Sequence, residues 1–366
     1  MKLVTSWFKR TFADPQVVIL GIVLVACFAI VIGFGRMLAP VFASIVIAYL
    51  LEAVVARLQM LGLSRLISVL LVFLLFLAFL FFLLFGLVPM LTRQLTQLVQ
   101  QIPNYITQGQ ELLLQLPQRY PQMVSEQQIQ SLISSVGSEL ATAGQQFLTW
   151  SITSVGTVVG LLVLLVLIPV LVFFLLKDKD QLIGWFKAYL PVERHLLSSV
   201  WADVEAQIAN YVRGKAGEIV IVGSVSYVTF VSLGLQYSAL LATMVGFSVL
   251  IPYIGAAVVT IPVAFVAYFQ WGWGWSFGQV MIAYAIIQAL DGNVLVPLLF
   301  SEALNLHPVA IIVAILVFGG LWGFWGIFFA IPLATVVQAV LKAWPQVKND
   351  ETLKEDRSEE SEKSPV

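Results

Sequence analysis

The chain has 366 residues, of which 60% are hydrophobic and 11% are charged, and its mean hydropathy is +0.96. Soluble globular proteins carry about 25% charged residues, so the composition excludes that class and predicts an integral membrane protein that is embedded in the lipid bilayer. No basic face appears, so no nucleic-acid partner is expected, and the single cysteine, Cys27, excludes an intramolecular disulfide.

The first 89 residues contain three predicted transmembrane helices. The first runs from Pro15 to Gly35 with Asp14 as its N-cap, the second from Pro40 to Arg57, and the third from Leu66 to Val88. Each approaches the length of about 20 apolar residues that a membrane crossing needs.

Residues 90–150 form a more polar region with an amphipathic helical pattern. Its apolar positions recur at helical spacing, at Leu91, Leu95, Leu98 and Ile102. Three prolines are predicted to divide the region into short helices: Pro103, Pro117 and Pro121. We interpret it as a helical layer outside the cytoplasm that caps the membrane part, with a ligand-binding domain as the alternative.

Residues 151–177 hold a fourth predicted transmembrane helix, Val155–Leu176, and residues 178–217 form a cytoplasmic region. In that region Glu193–Lys215 is an amphipathic helix that we expect along the membrane surface or beneath the bundle. Its apolar stripe consists of Leu197, Val200, Val204, Ile208 and Tyr211.

A charged motif, Arg213, Lys215 and Glu218, marks the boundary between this region and the next. Glu218 is predicted to open a fifth transmembrane helix, Glu218–Leu235, because a carboxylate is favoured at the positive end of a helix dipole.

Residues 218–345 carry an internal repeat. Leu233–Gly255 aligns with Leu304–Gly326, 71 residues later, so that Phe247 matches Phe318 and Gly255 matches Gly326. The apolar segments that open the two copies, Tyr237–Leu250 and Leu306–Phe318, are only about 20 Å long as helices. The hydrocarbon core is about 30 Å thick, so these segments fall short of a crossing.

Short apolar segments interrupted by Gly and Pro at matching positions point to two re-entrant hairpins around a transport site. The predicted tips are Pro252, Tyr253 and Gly255 in the first hairpin, and Gly320, Gly323 and Gly326 in the second. With a sixth helix over Trp275–Pro297 between them, the two helix-plus-hairpin units are inverted relative to each other. The alternative is ten full crossings of the membrane, which leave the two termini on the same side as the hairpin topology does.

The distribution of basic residues predicts that both termini are cytoplasmic. In this topology only Arg36, Arg93 and Arg119 of the 19 Lys and Arg residues lie outside. Residues 346–366 form a charge-dense tail without aromatic residues, for which we expect disorder.

Asp291 lies within the sixth predicted helix, in an otherwise apolar segment, with Gln288 and Asn293 close by. An ionisable residue inside the membrane is costly, so these three residues are our candidates for substrate binding or ion coupling. The structural alternative is an Asp291 that is neutral, reaches the cytosol, or pairs with Arg213 or Lys215.

Several motifs occur in the order found in a known family. They are FLLKDK (174–179), YVRGK (211–215), IPYIG (251–255), IQALDGNVLVP (287–297) and GLWGFWGIFFAIPLA (320–334). Over residues 10–345 the chain resembles the autoinducer-2 exporter family, and within it the PerM-type permeases.

This resemblance implies a multi-pass protein of the bacterial inner membrane, with about eight hydrophobic segments and a homo-oligomeric assembly, pentamers included. The resulting fold prediction is an all-α polytopic membrane protein with six full spans, two re-entrant hairpins and cytoplasmic termini.

The predicted function is secondary transport. The chain has two histidines, no cysteine cluster, and no HExxH, GxSxG or Walker A motif, so neither an enzyme nor an ATP-driven pump is expected. We therefore expect an exporter of a small polar molecule with no cofactor beyond a coupling H⁺ or Na⁺. The alternatives are a sodium/proton antiporter and a non-transporting membrane scaffold for an envelope partner.

Overall fold

The computed structural model describes residues 15–114, 131, 155–188, 195–252, 254–300 and 306–343. Throughout these ranges the regular structure is helical, without a strand, which confirms the all-α class. Five segments among the described residues are long and apolar enough to cross a membrane: Met37–Met60, Arg65–Glu111, Glu205–Ser232, Ile254–Trp271 and Trp275–Phe300. The chain is therefore a membrane protein.

We number the helices in chain order. They are α1 (Pro15–Met60), α2 (Arg65–Phe82), α3 (Val88–Leu114), α4 (Val155–Lys177), α5 (Lys179–Ala188), α6 (His195–Ser232), α7 (Ser238–Ser248), α8 (Ile254–Trp271), α9 (Trp275–Leu290), α10 (Val296–Phe300), α11 (Pro308–Trp322), α12 (Phe324–Phe328) and α13 (Ala330–Ala343). Two five-residue π-helical turns, Leu83–Leu87 and Asp291–Leu295, join α2 to α3 and α9 to α10.

The helices divide into two compact units. The larger comprises Phe34–Tyr189 and Ala209–Asn305, and the smaller comprises Met1–Gly33, Leu190–Ile208 and Leu306–Val366. In the larger unit, one apolar core joins α1, α2 and α4, with Val55, Val69 and Val172 fully buried. A second core joins the end of α6 to α7, α8 and α9.

A cluster of charged residues lies at one end of the first core. Glu52 of α1 accepts a hydrogen bond from Lys179 Nζ at 3.1 Å, and Arg65 Nη1 lies 3.7 Å from the same carboxylate oxygen. Arg65 Nη2 also donates to the Leu176 carbonyl at 3.0 Å, which caps the carboxyl end of α4. The FLLKDK motif thus marks the charged end of this three-helix core.

The prediction of two helices over Pro15–Gly35 and Pro40–Arg57 was wrong, because α1 is one continuous helix of 46 residues. The intervening residues 36–39 are Arg, Met, Leu and Ala, which are strong helix formers. Pro40 lies inside the helix, where it removes one backbone hydrogen bond without ending it. The side on which the amino terminus lies stays a prediction.

Pro103 was also expected to end a helix, and it does not. It lies inside α3, whose 27 residues continue the amphipathic pattern from Val88 to Leu114. Tyr105 of α3 is buried and packs between Phe265 and Phe269 of α8, with ring centroids 5.5 and 4.9 Å away. This packing against α8 holds the helix beyond the proline. Pro117 and Pro121 lie outside the described residues.

The predicted boundary between a cytoplasmic helix, Glu193–Lys215, and a fifth helix starting at Glu218 was likewise wrong. The structure has a single helix, α6, of 38 residues, and Glu218 lies in its interior. Only Ala216 and Gly217 separate the two predicted helices, and a lone glycine weakens a helix by about 1 kcal/mol without ending it. Other predicted helices are confirmed: α4 begins at Val155, and α9 begins at Trp275.

The first predicted hairpin consists of α7 and α8, which pack on each other. At its open end, the Gln270 side chain donates to the Gly234 carbonyl at 2.9 Å and accepts from the Gln236 backbone N–H at 2.8 Å. The start of α7 and the end of α8 are thereby tied together. We call this pair the first hairpin, with its base at residues 234–236 and 270 and its tip at residues 248–252.

The second hairpin consists of α11, α12 and α13, and both α12 and α13 pack along α11. His307 caps α11 by accepting the Val309 N–H at its Nδ1 atom, 3.2 Å away, and Pro308 takes the first helical position. The chain reverses at Gly323, whose φ of +59° favours glycine. Gly320, predicted at the tip, lies instead in the last turn of α11 and is exposed.

The two glycines matched by the repeat have the same role in the two hairpins. A Cβ added at Gly255 would overlap the carbonyl oxygen of Ser248, and one added at Gly326 would overlap the carbonyl oxygen of Phe318. In each hairpin the returning helix therefore touches the backbone at the end of the first helix. Pro252 lies in the first break, and Tyr253 lies outside the described residues.

We predict that Gly326→Ala destabilises the protein by about 1–3 kcal/mol, because the new methyl group cannot fit without separating the two helices. Gly255→Ala should have the same effect in the first hairpin. The measurement is thermal or denaturant unfolding of the detergent-solubilised protein. Gly320→Ala is the matched control, since a Cβ there meets nothing within 4 Å. Equal stability of the Gly320 and Gly326 variants would contradict the close contact.

Candidate functional site

A buried ion pair lies in the middle of α6. Lys215 Nζ is 2.7 Å from Glu218 Oε2, and the two side chains are only 6% and 2% exposed. The residues are three positions apart, so they share one face of the helix. Charges are removed from water at a cost of several kcal/mol each, and pairing offsets part of that cost.

Lys215 makes two further contacts that reach beyond its own helix. Its Nζ donates to the backbone carbonyl of Val249, at the carboxyl end of α7, at 2.7 Å. The same ammonium lies 5.2 Å from the centre of the Phe300 ring in α10, within the range of a cation–π interaction. One side chain thus connects α6, the tip of the first hairpin, and α10.

The YVRGK motif can be understood from this arrangement. Gly214 lies directly against Phe300, because a Cβ there would approach the ring to 2.6 Å. The fully buried Tyr211 packs on the same ring with centroids 6.0 Å apart. These two contacts fix the Phe300 ring in place beside the Lys215 ammonium.

Arg213 has different partners from Lys215. It is exposed, and its Nη2 donates to the hydroxyl of Tyr49 in α1 at 2.8 Å, with the guanidinium 5.4 Å from that ring centre. Tyr49 lies one helical turn before Glu52, so Arg213 joins α6 to the charged end of the first core. The charged motif predicted as one unit therefore divides into two sets of contacts, one made by Arg213 and the other by Lys215 and Glu218.

Asp291 is the first residue of a π-helical turn, in which the Val296 N–H bonds to the Asp291 carbonyl five residues earlier. Pro297 follows directly. The other π-helical turn, Leu83–Leu87, has the same pattern, with the Val88 N–H bonded to Leu83 and Pro89 following. A proline ring clashes with the carbonyl four residues before it, and a wider turn relieves that clash.

The three candidate coupling residues do not lie together. Gln288 in the last turn of α9 and Asp291, three residues later, are partly buried, and the Nε2 atom of Gln288 and the Oδ1 atom of Asp291 are buried without a hydrogen-bond partner. Asn293 is exposed, and its side chain donates to the Ala289 carbonyl at 2.8 Å. The structure therefore groups Gln288 with Asp291 and separates Asn293 from them.

Asp291 interacts electrostatically with both members of the ion pair, being attracted by Lys215 and repelled by Glu218. No direct salt bridge from Asp291 occurs among the described residues. The candidate site is therefore the group Lys215, Glu218, Asp291 and Gln288, next to the tip of the first hairpin.

Sequence reasoning did not predict two parts of this site. Glu218 was interpreted as a residue at a helix start, although a Lys and a Glu three positions apart in a continuous helix indicate a pair. The Val249 carbonyl is a backbone atom, and no side-chain pattern points to it.

Comparison with known proteins identifies relatives along nearly the whole chain. A family model described as AI-2E family transporter matches residues 18–346. The chain is 45% identical over 345 residues to PerM of Escherichia coli (strain K12), whose name describes it as a permease, covering 94% of this chain and 98% of that protein. It is 28% identical over 300 residues to YueF of Bacillus subtilis (strain 168), whose name describes it as a transport protein, covering 80% of each.

We predict that Glu218→Gln destabilises the protein by about 3–5 kcal/mol, because it leaves the Lys215 ammonium buried without its counter-charge. Unfolding in detergent measures the effect. Glu205→Gln, at an exposed position of the same helix, is the control and should change stability by less than about 0.5 kcal/mol. A Glu218→Gln protein as stable as this control would show that the pair is not buried as described.

Proposed function

The chain belongs to the AI-2E transporter family, and from that premise we propose that it is an ion-coupled permease that exports a small polar molecule across the bacterial inner membrane. The observation that carries the proposal is the group of three ionisable residues, Lys215, Glu218 and Asp291, in helices apolar enough to cross a membrane. Such residues are costly in a membrane interior and are by default functional.

Ion coupling follows from the charge of this group. One ammonium and two carboxylates leave one net negative charge when all three are ionised. A monovalent cation, H⁺ or Na⁺, bound next to Asp291 neutralises that charge. The unpartnered Oδ1 of Asp291 is the atom we assign to this cation.

We propose that both hairpins are re-entrant. Helix α7 has 11 residues and α11 has 15, which correspond to about 16 and 22 Å, both shorter than a hydrocarbon core of about 30 Å. Gln270 links the two ends of the first hairpin, as expected when the chain enters and leaves the membrane on the same side. In the predicted topology the first hairpin enters from outside and the second from the cytoplasm.

The charged residues support one orientation. Arg213 contacts Tyr49 of α1, and Arg65 and Lys179 contact Glu52 one turn later. These three basic residues therefore cluster at the charged end of the first core. By the positive-inside rule we assign this end to the cytoplasm.

We expect Asp291→Asn to reduce ion flux to the level of liposomes without protein, because the neutral amide cannot exchange a proton or balance a sodium ion. Purified protein in liposomes is tested for proton flux with a trapped pH-sensitive dye and for sodium flux with radioactive sodium. Asn293→Ala is the matched control, because that side chain is exposed and turned away from Asp291, and its flux should equal wild type.

Unchanged flux in the Asp291 variant would remove this residue from the mechanism. Absence of both proton and sodium flux in the wild-type protein would contradict ion coupling.

The topology has its own test, by cysteine labelling in a Cys27→Ser background. We expect Gly320→Cys to resist an impermeant maleimide added from the periplasmic side, because a re-entrant second hairpin does not reach that surface. Gly274→Cys, in the turn between α8 and α9, should react from the same side and is the control. Fast periplasmic labelling at Gly320 would favour full crossings.

A further inference from the structure

The tip of the first hairpin has a backbone that needs a hydrogen-bond donor. Helix α7 ends at Ser248, and Val249 and Leu250, which follow it, are only 8% and 5% exposed. The last carbonyls of a helix have no partner within the helix, and at a buried end water does not reach them. The Val249 carbonyl finds its donor in Lys215.

Lysine is suited to this position by its charge. The carboxyl end of a helix carries a partial negative charge, so an ammonium stabilises it more than a neutral donor does. Glu218 holds the ammonium in place, with Oε2 2.7 Å from Nζ, and the Phe300 ring lies beside it. The ion pair and the helix end therefore support each other.

The base of the first hairpin is attached differently from its tip. There Gln270, at the end of α8, binds the segment that precedes α7, and Gln94 of α3 accepts the Leu240 N–H of α7 at 2.8 Å. Within the described residues, Lys215 supplies the one side-chain hydrogen bond that reaches the tip, residues 248–252, from outside the hairpin. Among the described residues, Gln94 thus attaches the hairpin from outside near its base, and Lys215 does so at its tip.

The first hairpin lies close against α6 near its tip. Helix α7 crosses α6 at a pair of glycines, and a Cβ added at Gly246 would lie 3.0 Å from the Cα of Gly223. The glycines let the two backbones approach closely, which brings the end of α7 within reach of Lys215.

We propose that Lys215 is the positioning residue of the first hairpin: its bond to the Val249 carbonyl holds the tip closed, and release of that bond lets the tip move during transport. This inference rests on the proposed permease function. It assigns the ion pair a mechanical role, in which Glu218 holds in place the ammonium that binds the hairpin tip.

The test measures the accessibility of the tip directly. In the full-length Cys27→Ser protein in lipid nanodiscs, Ile251→Cys reports on the tip and Gln236→Cys on the base. We expect Lys215→Met to raise the maleimide labelling rate at position 251 about tenfold, the equivalent of a lost hydrogen bond to a charged group. The rate at position 236 should stay within about twofold, because base and tip are attached independently.

A second variant distinguishes the effect of losing the Lys215–Val249 hydrogen bond from the effect of leaving the Glu218 charge buried without a partner. Lys215→Met alone leaves Glu218 buried without a counter-charge, whereas Lys215→Met with Glu218→Gln removes both charges. Labelling at position 251 should remain fast in this double variant, because the Val249 carbonyl still lacks its donor. Return of the rate to that of the wild-type protein would overturn the proposal.

Equal increases at positions 236 and 251 would also overturn it, since they would indicate general loosening. The labelling result does not depend on transport. A released tip in the variants together with no ion flux in the wild type would leave the positioning role of Lys215 in place and contradict the permease.

Discussion

Backbone groups within a membrane have no water to bind, and most features of this protein follow from that constraint. Helix α1 continues through Pro40 because an interruption in an apolar segment would leave several backbone groups without partners. The two π-helical turns keep the chain hydrogen-bonded just before a proline. Where α7 does end inside the protein, a lysine is buried to bind its carbonyl, and a glutamate is buried to balance the lysine.

The internal repeat is visible in the contacts as well as in the residues. Gly255 and Gly326 match in the alignment, and each presses against a carbonyl at the end of the preceding helix. The charges do not repeat: the positions 71 residues after Lys215 and Glu218 are Ile286 and Ala289. The two copies therefore share a way of folding back and differ in how the tip is held.

The sequence predicted the parts of the fold that depend on local composition. Apolar length identified α4, α7 and α9, and the glycines located both breaks. Pro40, Pro103 and Gly217 were over-interpreted as helix ends, since each lies inside a continuous helix. At Pro103 the helix is held by the packing of Tyr105 on α8, which local sequence does not reveal. Asp291 was found because it is conspicuous in an apolar segment, whereas the Val249 carbonyl has no side-chain signature.

The glycine contacts also limit where a transported molecule passes. Because the two arms of each hairpin meet backbone to backbone at Gly255 and Gly326, no lumen exists between the arms at that level. In the proposed permease, a solute therefore does not pass between the two arms of one hairpin at that level. Of each hairpin, only the outer faces remain to line a path for cargo.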